Sequence, residues 1–169
     1  MAPPKGETKS QARPQPQPSD PPQGGGGFKL PLPYRLFFLL IEPISALVGA
    51  YYAHCQQYDY LRMTDVMTMP RSIPTGTSIV MSQLANLYLL FALNEALVLR
   101  STSDIRVWKT ILFVLLVADF GHLYSLKPLG SWVYWDARSW NAIDWGNVPF
   151  VYLGASMRIA FLAGVGLGN

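Results

Sequence analysis

Residues 108–126, WKTILFVLLVADFGHLYSL, decide how the rest of the chain is read. At about 1.5 Å rise per residue these 19 positions reach roughly 28 Å, close to the ~30 Å hydrocarbon core of a bilayer. Asp119 and His122 lie deep inside this apolar run. A carboxyl group at that depth costs roughly 2.5 to 3.5 kcal/mol on insertion scales, so it should face protein or a wet cavity rather than lipid.

Upstream, residues 79–99 (IVMSQLANLYLLFALNEALVL) form a second apolar run, ended by Arg100 and by a Ser-Thr-Ser-Asp stretch suited to capping the next helix. On a helical wheel Gln83, Asn86 and Asn94 fall within about 80° of one another, with Glu95 nearby, which predicts one hydrophilic side. Residues 35–54 form an earlier run that starts after the helix-breaking Leu30-Pro31-Leu32-Pro33. Pro43 should kink it beside Glu42, and Glu42, Ser45, Ala46 and Gly49 share a small-residue face fit for close helix packing. Between these two runs, residues 55–78 read as a polar loop with room for a short interfacial helix.

Downstream, residues 127–147 hold four of the five tryptophans, Trp132, Trp135, Trp140 and Trp145, as expected of an interfacial belt or of a cover over a cavity. Residues 148–167 form a fourth apolar run, rich in Gly and Ala, with Arg158 near its middle. The expected architecture is therefore all-α: a four-transmembrane-helix bundle over residues 30–169, spans near 35–54, 79–99, 108–126 and 148–167. A Pro-, Gln- and Gly-rich tail over residues 1–29 is expected to be disordered, because it has little apolar surface to offset ordering.

The totals agree with this reading. The chain is 50% hydrophobic and 14% charged, and its basic residues sit at the ends of apolar runs rather than in a patch, which argues against nucleic acid as a partner. Cys55 is the only cysteine, so no intramolecular disulfide and no cysteine-based metal site can form. The opening residues lack the apolar core of a signal peptide, so insertion is expected to rely on the internal runs. Lys5, Lys9, Arg13, Lys29, Arg35, Arg100, Arg106 and Lys109 fall on one side, and Arg62, Arg71, Lys127 and Arg138 on the other. The excess places both termini in the cytosol.

With this threading Asp119 and Arg158 lie at the same depth near the midplane, Glu42 and Glu95 lie toward the cytosolic end, and His122 is one turn from Asp119. Carboxyl groups held in different environments suit acid and base chemistry on a lipid-soluble substrate. One protonates an oxygen; another, beside an arginine, stays ionised and takes a proton. Epoxide opening needs those two roles, and alkene protonation or double-bond isomerisation would use the same parts. Each residue also has a structural use, as a buried ion pair fixing helix register or as a side chain bonded to a neighbouring carbonyl. No HxxxH or HExxH pattern points to a metal.

Four stretches, LPLPYRLFFLLIEPISALVGAYYA, NEALVLR, VADFGHLYS and WNAIDWGNVPFVYLGASMR, carry a resemblance. They are similar to a family of small fungal integral membrane proteins often encoded beside polyketide or meroterpenoid genes, which more distantly resemble the four-helix emopamil-binding sterol isomerases. The resemblance covers residues 30–166. It implies residence in the endoplasmic reticulum and, for some members, epoxide hydrolase or cyclase activity on polyene epoxides without a cofactor. It singles out Glu42, Asn94, Glu95, Asp119, His122, Asp144, Trp145 and Asn147. The expected catalytic residues are Glu42, Asp119, Glu95 and His122; the expected substrate contacts are Asn94, Asp144, Trp145, Asn147 and Arg158. The sterol-isomerase spacing of His and Glu one turn apart is not reproduced, which argues against a sterol substrate. The implied partners are a hydrophobic small molecule, the lipid membrane, and a polyketide synthase and flavin monooxygenase of the same pathway. A terpene cyclase or double-bond isomerase, and a non-catalytic lipid-binding or assembly protein, are the alternatives.

Overall fold

The computed structural model describes residues 28–67 and 71–168. Most of the proposed tail, residues 1–27, lies outside them. Among the described residues there is no strand, and three helices are long and apolar enough to cross a membrane: α1 (Leu32–Cys55), α3 (Thr75–Ser101) and α4 (Ile105–Leu129). A short amphipathic helix, α2 (Gln57–Thr64), joins α1 to α3, and α5 (Ala142–Asn147) leads into α6 (Pro149–Leu162). These lengths mark a membrane protein, and the outward faces agree: Leu47, Leu87, Leu90, Phe113, Val117 and Phe120 are all exposed.

The helix ends follow local chemistry. α1 begins at Leu32, earlier than the prolines suggested, because Pro33 falls in the first turn, where a missing N–H costs nothing. The Asp104 carboxylate accepts from the Arg106 amide at 2.7 Å and caps α4, as the Ser-Thr-Ser-Asp stretch led us to expect. α6 has 14 residues, about 21 Å, shorter than the apolar run that contains it. Beyond it Gly164 and Gly166 take φ of +81° and +71°, where a side chain would be strained, and the chain turns back so that the Tyr34 hydroxyl donates to Val165 O at 2.9 Å.

α1 packs chiefly on α3 and α4 on α6. On the first pair Gly49, on the small face of α1, lies against the Tyr88 ring, which a Cβ at that position would meet at 3.5 Å, an ordinary van der Waals contact. At the end where α1 starts, one aromatic core joins both pairs: Tyr34, Phe37 and Phe38 from α1, Leu99 from α3, Trp108 and Leu112 from α4, and Phe161 from α6. Phe161 stacks on Trp108 at 5.7 Å and meets Tyr34 edge-on at 5.2 Å. Phe28 also packs edge-on against Trp108, at 5.9 Å.

At the opposite end the core divides. Ala53, Met81 and Ala85 form one cluster within α1 and α3, and Leu126, Val133 and Val148 form another beneath the tryptophan loop. The two halves are tied there by the Asn141 side-chain amide, which donates to Met63 O at 2.7 Å. The hydrophilic side expected for α3 does not assemble: Gln83 and Asn86 are exposed and only Glu95 is fully enclosed. A wheel angle gives a residue's side of the helix but not which neighbour covers it, and α1 covers the side of Glu95 and Tyr88.

Candidate functional site

α1 and α3 each contain one π-helical segment, and a glutamate lies in or directly after each. In α1 residues Phe37–Ile41 wind as a π-helix immediately before Glu42. Pro43 has no N–H to give to Leu39 O, four residues back, and that carbonyl accepts instead from Arg100 Nη2 at 2.7 Å. In α3 residues Asn94–Val98 wind as a π-helix with Glu95 in its first turn. Widened turns of this kind shift side chains relative to the regular helical face and recur at functional sites.

The glutamates meet on Arg158. Its Nη2 donates to Glu42 Oε1 and, at 3.3 Å, to Glu95 Oε1, while its Nη1 donates to Asp119 Oδ2 at 2.8 Å. Arg158 of α6 thus contacts a carboxyl group from each of the other long helices, α1, α3 and α4. The guanidinium is fully buried, lies 5.8 Å from the centre of the Phe38 ring, and rests over Gly154. A Cβ on Gly154 would stand 2.7 Å from Arg158 Nη1, so only glycine leaves room for the group. Glu95 is wholly enclosed and Asp119 is 8% exposed.

The cluster is not closed on itself. Glu42 Oε2, Glu95 Oε2 and Arg158 Nε are buried with no hydrogen-bond partner among the described residues. These two acceptors and one donor have no protein partner outside the cluster, and the carboxyl groups of Glu42 and Glu95 lie within interaction distance of each other. Three carboxyl groups also face one guanidinium. Full ionisation would leave two uncompensated negative charges in the interior.

His122 lies one turn from Asp119 on α4, beside Asn147, with its Nε2 buried and unpartnered. The other residues expected to touch substrate do not join the cluster. Asp144 caps α5: its Oδ2 accepts from the Asn141 amide at 3.0 Å, while Asn141 Oδ1 accepts from Ile143 and Asp144 amides at 2.8 and 3.2 Å. Trp145 is 53% exposed and meets Trp140 edge-on at 5.2 Å. Asn94 is half-buried at the start of the α3 π-helix. Sequence reasoning passed over Gly154, Phe38 and Arg100. Spacing signalled Gly154, since it stands one helical turn before Arg158, where a small residue makes room for a folded-back side chain.

No curated protein matches the chain, and no solved structure does. Residues 27–168 match a family profile described as a domain of unknown function, DUF7704. Because that match spans nearly all of the chain, from just before Phe28 through the whole carboxyl cluster, the protein belongs to the DUF7704 family.

Proposed function

We propose that the protein is a membrane epoxide hydrolase or cyclase that opens an epoxide on a hydrophobic polyene, using the carboxyl groups around Arg158 as acid and base. The observation that carries this reading is the set of unpartnered buried atoms, Glu42 Oε2, Glu95 Oε2 and Arg158 Nε, at one point between the helices. Charge balance favours at least one proton held within the cluster. Glu95 is the enclosed carboxyl with the longer contact to the guanidinium, so it serves as the acid. It gives its proton to the epoxide oxygen as the C–O bond breaks. Asp119, held by Arg158 Nη1, stays ionised and takes a proton from the water or substrate hydroxyl that forms the new C–O bond. One proton then passes from base back to acid, and the cluster is restored. Arg158 and Gly154 position the groups, and Glu42 holds the second carboxyl oxygen toward the reacting centre.

In this reading α6, with the turns on either side of it, is a fourth span; both termini face the cytosol, and the membrane is the endoplasmic reticulum of a fungal cell. A polyketide synthase and a flavin monooxygenase of the same pathway would supply the epoxide. Cys55, the exposed and only cysteine, ends α1 on the lumenal side. An impermeant thiol reagent should therefore label it in microsomes only after permeabilisation, and labelling of sealed vesicles contradicts the orientation.

The reading is tested with purified protein, a polyene carrying a terminal epoxide, and isotope-labelled water. Turnover that falls in Glu42→Gln and Asp119→Asn while the melting temperature holds supports it; full activity in both variants sinks it. Label in the product marks hydrolysis, whereas an unlabelled, carbocation-derived product marks a cyclase or isomerase. A second reading has its own observation, since a single arginine joining four helices is also what a purely architectural pin would look like. A lipid-binding or assembly protein built on that pin would bind the epoxide without changing it.

A further inference from the structure

We propose that the hydroxyl groups of Tyr60 and Tyr88 form a second polar subsite that hydrogen-bonds an oxygen function, hydroxyl or carbonyl, on the far end of a hydrophobic ligand whose reacting end lies at Arg158. The two hydroxyls stand 2.9 Å apart, and either can be the donor. Only one of their two hydrogens is used in that bond, so one O–H remains to be given to another acceptor. Tyr88 precedes Glu95 by seven residues, two helical turns, so both lie on nearly the same face of α3. The facing side of α1 repeats the spacing, with Gly49 against the Tyr88 ring seven residues after Glu42. The separation from the carboxyl cluster is about 10.5 Å along the helix axis.

The ground between the two sites suits an apolar chain with a polar group at each end. His122, with its unpartnered Nε2, lies one turn from Asp119 in the same direction. Toward that end the buried core comprises two separate clusters, one around Ala53, Met81 and Ala85 and one around Leu126, Val133 and Val148, and Tyr60 and Tyr88 pack against the first. Burial first, and then the Tyr88 hydroxyl, push the Tyr60 hydroxyl above its ordinary value of 10.0. Tyr60 therefore remains a neutral O–H group. Gln57, which donates to Ser78 O at 3.3 Å and Ser82 Oγ at 3.4 Å, holds α2 in register so that Tyr60 reaches Tyr88.

This subsite rests on the proposed reading of the Arg158 cluster, and its test keeps the two apart. The probes are the terminal epoxide of a ten-carbon alkane and the same epoxide with a hydroxyl on the far carbon. Binding to full-length protein in detergent is read from the shift in melting temperature with ligand concentration, and turnover is read separately. The wild type should bind the hydroxylated epoxide about five- to tenfold more tightly than the alkyl one. Tyr60→Phe and Tyr88→Phe, which keep the rings, should lose that preference and keep their affinity for the alkyl epoxide. A wild type with no preference, or variants that retain it, overturns the subsite. Preference without turnover upholds the subsite and removes the hydrolase reading; turnover without preference does the reverse.

Discussion

Arg158 and Gly154 show how narrowly the site is built at the level of single residues. Four positions apart on α6, they form one unit, because the guanidinium occupies the space where a side chain on Gly154 would be. Gly154→Ala should therefore push Nη1 away from Asp119, at a cost of about 1–3 kcal/mol for the overpacking. Melting temperature and turnover should fall together in that variant, whereas Gly146→Ala, with open space around it, should leave both unchanged apart from local helix propensity. Sequence reading placed Asp119 and Arg158 at a common depth by counting residues into two apolar runs, and they are bonded at 2.8 Å. It named Asp144 as a substrate contact and did not foresee its place in the capping box of α5 with Asn141, since so short a helix leaves no trace in hydropathy.

Among the elements, α1 shows most clearly how a local defect serves the site. Pro43 removes one rung of the helix, the preceding turn widens, and Arg100 from α3 satisfies the released carbonyl of Leu39. Arg100→Ala should destabilise the protein by about 0.5–1.5 kcal/mol through that lost bond. In a Pro43→Ala background, where an amide can bond Leu39 O, the same substitution should cost less; equal costs in both backgrounds would contradict the coupling. Length and mean hydropathy made the three long helices plain, since each apolar run is long enough to span despite its few polar residues. They could not show the π-helical turns, because the extra residue per turn depends on which carbonyls the tertiary structure can satisfy. The same blindness explains Gln83 and Asn86, polar residues on a calculated side that the fold leaves exposed.

At the scale of the whole molecule, two helix pairs are joined by an aromatic core at one end, by Arg158 in the middle and by the Asn141–Met63 contact at the other. Removing the arginine strands three acids in the interior, so Arg158→Met should cost about 3–5 kcal/mol. Adding Glu42→Gln and Asp119→Asn should restore much of that loss, because neutral amides need no counter-charge. A melting series over these variants checks it, and a combined variant no more stable than Arg158→Met would show that charge is not what the cluster balances. Stability alone does not separate a pin from a catalyst. Glu95→Gln does, because the amide matches a protonated carboxyl in size and charge but cannot give up a proton as an acid does. The decisive measurement is the turnover of a polyene epoxide by purified Glu95→Gln beside its melting temperature. The account predicts a loss of about 10²–10⁴-fold in kcat with melting unchanged or slightly raised. Turnover equal to that of the wild type in a folded Glu95→Gln protein would contradict it.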